Sequence, residues 1–75
     1  MPRYRAMVSF VAKQLNEPDT RVVTAGEELV LLRWMGDEHE RSAIFAISMS
    51  GASIHGPAYE ATRDLFETST EAIGD

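Results

Sequence analysis

Hydrophobic and polar positions alternate in several distinct rhythms along the chain. The longest ordered pattern lies in its middle. Residues 28–35 and 41–49 are two apolar runs, separated by the polar loop Gly36-Asp37-Glu38-His39-Glu40. Apolar runs joined by a polar, glycine-containing loop predict two strands of a hairpin. In the first strand Leu29 and Leu31 face one way, Val30, Leu32 and Trp34 the other. In the second, Phe45 and Ile47 alternate with Ile44 and Ala46. Both sets are apolar or small, so both faces of this hairpin are expected to be buried. A shorter β-branched run at residues 21–24 predicts a third strand, ended by Ala25-Gly26-Glu27.

The two ends of the chain carry a different rhythm. Over residues 3–15, helical spacing places Tyr4, Met7, Val8, Val11 and Leu15 on one stripe. Strand alternation also fits, with Tyr4, Ala6, Val8, Phe10 and Ala12 on one side. Thirteen residues is long for a strand and ordinary for a helix. Pro2 suits a helix start and Asn16-Glu17-Pro18-Asp19 a stop, so the segment is read as a helix. At the other end, Gly56 and Pro57 read as cap and first turn. Ala58, Ala61, Thr62, Leu65, Phe66, Ser69, Ala72 and Ile73 then recur at helical spacing up to Gly74. The predicted fold is α+β, one domain over residues 1–75. Its order is α-β-β-β-α, a three-stranded antiparallel meander packed with an N-terminal and a C-terminal helix.

Composition supports a small folded unit with a thin core. The 75 residues are 44% hydrophobic and 25% charged, which is not the balance of a disordered chain. A chain this short buries only about 60% of its unfolded surface. Having no cysteine, it has no disulfide or thiolate–metal support. A homodimer is therefore expected, with a second copy covering the second apolar face. Apolar stretches such as Leu29 to Leu32 are far short of a membrane span. Arg3 and Arg5 precede a segment broken by Ser9, Lys13 and Gln14, so a signal peptide is not expected there. A cytoplasmic location without membrane contact is the expectation.

Charge changes the picture further, because it is unevenly placed. Residues 1–35 hold five basic and four acidic side chains, a balance of +1; residues 36–75 hold two and eight, a balance of −6. That acidity argues against nucleic acid, where neutralised phosphates supply most of the affinity. Arg3, Arg5 and Lys13, without aromatic interleaving, are too few to reverse that reading. The acidity is compatible with a protein partner that has a basic surface. On the predicted last helix Glu60, Asp64, Glu67 and Glu71 line one side. Like charges four residues apart repel, which points to a basic partner as well as to simple solvation. Trp34 joins these four as a candidate contact, since large aromatics dominate cores and interfaces alike.

The remaining chemistry is sparse. The loop Asp37–Glu40 offers carboxylates and His39, yet it lacks calcium-loop spacing and a second histidine at helical spacing, so no metal is assigned. Ser53, His55 and Gly56 stand before the predicted last helix, where free N–H groups could hold an anion. A serine near a histidine raises nucleophilic catalysis, but the run Ser48-Met49-Ser50-Gly51-Ala52-Ser53 contains no nucleophile elbow, and no catalytic residue is assigned. No cofactor is assigned either. The leading expectation is a non-enzymatic protein-binding module, a small acidic regulator or inhibitor that occupies a partner's surface. Stand-alone inhibitors of the kind phages make against host systems are of this size and type. The alternatives are a small-molecule or anion-binding domain using the Ser50–Pro57 connection, and a small enzyme or enzyme subunit with its site at a dimer interface.

Overall fold

A computed structural model describes residues 2–48 and 57–74. The fold is mostly β, and the α+β expectation is corrected accordingly. The chain forms β1 (Arg3–Ala6), β2 (Phe10–Gln14), β3 (Thr20–Val23), β4 (Glu28–Met35), β5 (Ser42–Ser48), β6 (Tyr59–Thr62), the short helix α1 (Arg63–Ser69) and β7 (Thr70–Gly74). All pairings are antiparallel, in the order β3-β2-β6-β5-β4-β1-β7.

That order dictates a rolled sheet. β1 and β2 stand four places apart, as do β3 and β4, and β6 and β7. In a flat sheet four places span about 19 Å. From Ala6 to Phe10 the chain has four steps, a reach of at most about 14 Å. The seven residues of α1 rise only about 10 Å. All three connections therefore require the sheet to curl into a half-barrel. Ser9 Oγ accepts a hydrogen bond from the Ala25 N–H (3.1 Å), tying the first two crossovers together.

The concave face holds the core: Ala6, Phe10, Ala12, Val23, Leu29, Leu31, Ala43, Phe45, Tyr59, Ala61 and Phe66. Phe66, from α1, packs on Phe45 (ring centroids 5.5 Å apart), Tyr4 (4.9 Å) and Trp34 (6.0 Å). One helical side chain thus closes the open mouth of the curl against β1, β4 and β5.

The expected β4–β5 hairpin is present, with a bulge at Leu32. Its two-sided burial is present in part: Val30, Ile44 and Ala46, which lie opposite the core, are 8%, 1% and 5% exposed, whereas Leu32 is 37% exposed and Trp34, expected on that far face, packs on the core beyond the bulge. The chain itself achieves this burial, so it no longer argues for a covering second copy. β3 does not join a meander with β4; it pairs with β2 at the sheet's edge.

Neither predicted long helix forms. Residues 3–15 are two strands, because strand alternation buries Ala6, Phe10 and Ala12, whereas the helical stripe would have buried Met7, Val8 and Val11, which are exposed. The alternation itself fails only at Val8, which lies in the turn between β1 and β2. In residues 57–74 Tyr59 and Ala61 alternate into the core, and the helix begins only at Arg63. Thr62 caps it, its Oγ1 accepting from the Leu65 N–H (3.3 Å). Hydroxyl side chains also mark its end. Thr68 Oγ1 donates to the Asp64 carbonyl (2.8 Å) and Thr70 Oγ1 to the Phe66 carbonyl (2.7 Å), competing with continued helix. Pro57 precedes β6 and occupies no helical turn. No helix among the described residues is long and apolar enough to cross a membrane.

Candidate functional site

The acidic stripe expected on one long helix is distributed over three elements. Glu60 sits on β6 and pairs with Lys13 of β2 (3.3 Å). Asp64 and Glu67 lie on α1, where Glu67 meets the Arg63 guanidinium (3.2 Å). Glu71 is on β7, opposite Arg5. The repulsion read from i,i+4 spacing is absent for Glu60 with Asp64 and for Glu67 with Glu71, since neither pair shares a helix.

Asp64 instead joins other candidates. Between the β4–β5 loop and the start of α1 lies a cleft of about 550 Å³, lined by Glu38, His39, Glu40, Arg41, Ser42, Thr62, Arg63 and Asp64. Its geometry starts at Gly36, whose φ of +92° puts it in the left-handed region. A Cβ there would run into the Glu40 carbonyl. Asp37 then folds the loop, its carboxylate accepting from the His39 and Glu40 N–H groups (2.9 and 2.8 Å). The Arg63 N–H donates to the Arg41 carbonyl (2.9 Å), holding the loop against the helix start.

Two basic groups in this cleft are already engaged. Arg63 bonds Glu67, and the Arg41 guanidinium lies 5.6 Å from the Trp34 ring centroid. Half-buried Trp34 packs against the core on Phe66 and stands under the Arg41 guanidinium of the cleft. Glu38, Glu40 and Asp64 form no ion pair among the described residues. The cleft is therefore a locally acidic depression. No three histidine, cysteine or carboxylate side chains among the described residues converge as a metal would require.

A second depression of about 330 Å³ adjoins it, lined by Val11, Lys13, Thr20, Ser42, Glu60, Ala61, Thr62 and Leu65. The two share Ser42 and Thr62. This second groove is mainly apolar, and the cross-strand pair Val11–Val22 extends it. These two valines are 55% and 56% exposed on the convex face, between strands whose other face is core. Sequence reasoning missed both, because Val11 was absorbed into a helical stripe and Val22 into a short strand with no assigned face. The run Val22-Val23 carried the signal, since one of two successive strand residues must point away from a single core.

Ser53, His55 and Gly56 lie outside the described residues, as does nearly all of the Ser50–Pro57 connection. The helix whose N-terminus was to hold an anion there begins instead at Arg63. Searches against protein-family models, curated proteins and solved structures find no match to this chain.

Proposed function

We propose that this chain is a non-enzymatic protein-binding module that acts by occupying a partner's surface, and that it docks through the contiguous groove and cleft. The observation that carries this reading is their contiguity: an apolar floor of Val11, Ala61 and Leu65 continues into an acidic rim of Glu38, Glu40 and Asp64. Apolar centres with polar rims are the common anatomy of protein interfaces. The complementary partner presents an apolar side chain among Lys or Arg residues, which fits the basic partner expected from net charge.

The test is capture of the partner from the native host by the tagged chain, alongside the variant Glu38→Lys/Glu40→Lys/Asp64→Lys. Rim charges act chiefly on association rate and salt dependence. The captured protein is expected to fall by well over tenfold with the variant, and wild-type capture to weaken as salt rises. Equal capture by both chains, at matched thermal stability, would remove this face from consideration. The stability control matters because Asp64→Lys places a cation in the first turn of α1, against its dipole.

A further inference from the structure

The hydrogen-bonding phase of the β2–β3 pair leaves one sheet edge open. The Gln14 N–H donates to the Asp19 carbonyl (2.8 Å), and Lys13 lies opposite Thr20. In an antiparallel ladder this makes Lys13–Thr20 and Val11–Val22 the non-hydrogen-bonded pairs, so Arg21 and Val23 bond inward to β2. The backbone N–H and C=O groups of Thr20 and Val22 therefore point away from the sheet. β3 has no neighbour on that side among the described strands.

Resting on the protein-binding reading, we infer that the partner contributes an extended segment that adds antiparallel to β3. It is β-branched beside Thr20–Val23 and basic where it reaches the Glu17-Pro18-Asp19 turn. Addition to a free sheet edge uses main-chain hydrogen bonds for affinity and alternate side chains for selectivity. A residue opposite Val22 lies beside the exposed valine pair and extends its apolar row. An antiparallel segment running past Thr20 carries its C-terminal end to Glu17 and Asp19, where Lys or Arg is complementary.

A second copy of this chain fits the edge poorly. The symmetric register that uses all four free groups puts Arg21 opposite its own twin, and like charges directly opposite destabilise a pair. The register centred on Val22 puts Thr20 opposite Thr24. The Thr24 N–H already donates to the Glu27 carboxylate (2.7 Å), and its carbonyl already accepts from the Glu27 N–H (3.1 Å).

The probe is the peptide acetyl-Thr-Val-Thr-Val-Lys-Lys-amide, titrated into isotope-labelled full chain and followed by amide resonances. Binding is expected to be weak, about millimolar for so short a strand. Shifts should centre on Thr20 and Val22. N-methylation of the two peptide valines, whose N–H groups face β3, should weaken binding at least tenfold, while N-methylation of the threonines should not. Val22→Pro should do the same from the protein side. It removes an N–H that takes no part in the β2 ladder, as edge positions tolerate. Three results would overturn the inference. One is the absence of shifts; another is shifts confined to the Glu38–Asp64 cleft and unaffected by Val22→Pro, which leaves the docking face standing. The third is a wild-type dimer in sedimentation that Val22→Pro converts to monomer, which makes a second copy the occupant. Strand addition at Val22 together with unchanged partner capture by the triple Lys variant would instead reject the docking face alone.

Discussion

The two edges of the sheet are built from strands of similar length but are guarded differently. At β7 the Thr70 N–H, which points outward, returns to the Phe66 carbonyl of α1. A bulge at Ile73 and the positive φ of Gly74 (+143°) break the ladder one residue beyond Ala72. At β3, Thr20 and Val22 offer two successive outward-facing residues, with no bulge and no capping bond among the described residues. Both devices at β7 are recognised defences against unwanted edge pairing. Their absence at β3, next to an exposed valine pair, marks β3 as the edge left available for a partner.

The largest effect should come from undoing the guarded edge. Phe66→Ala removes the ring that anchors α1, which bonds the Thr70 N–H of β7, against β1, β4 and β5. An aromatic truncated in a core costs about 3–5 kcal/mol, comparable with the whole stability of a chain this small. Urea unfolding should find the variant largely unfolded in buffer; a loss below about 1 kcal/mol would mean that α1 is not the keystone of that side.

Next in size is a proline pair that reads the ladder's phase. Arg21→Pro deletes an N–H that bonds to β2 and should cost on the order of 1–3 kcal/mol. Val22→Pro, one residue along, deletes an outward N–H and should cost far less. Equal losses in thermal unfolding would mean that the assigned phase is wrong. The side chains of the same edge give a parallel contrast. Val23 is fully buried, so Val23→Ala should cost on the order of 2 kcal/mol. Val22→Lys changes an exposed position and should stay within about 0.5 kcal/mol. A comparably small effect is expected at Arg21→Ala. This breaks the Arg21–Glu27 ion pair (3.0 Å), which is partly exposed and contributes at most about 1 kcal/mol.

These contrasts also show what the sequence could reveal. The β4–β5 hairpin was legible because Gly36 and four polar residues punctuate two unmistakable apolar runs. β1 and β2 were not, because the turn between them is Met7-Val8-Ser9. Its two apolar residues keep both periodicities alive, and no glycine or proline announces the break. Residues 57–74 misled for a related reason. Ala61, Thr62, Leu65, Phe66 and Ser69 satisfy helical spacing across a boundary that hydroxyl capping sets, and capping is weak evidence without the fold around it. Of the candidate site, the acidic loop and Asp64 were visible as separate features. Their convergence was not, because it depends on β5 and β6 pairing at Ser42–Thr62. The open edge was invisible altogether, since outward-facing N–H groups follow from strand order and ladder phase, which no local pattern encodes.

Residue-resolved amide hydrogen exchange on the free chain tests the difference between the two edges most directly. Thr20 and Val22 should exchange rapidly while Arg21 and Val23, their immediate neighbours, are protected. At the other edge the Thr70 amide should be protected through its bond to Phe66. Protection of all four residues from 20 to 23, or a protected Val22 with a fast-exchanging Thr70, would contradict the account, because the open edge would then be closed or on the opposite side of the sheet.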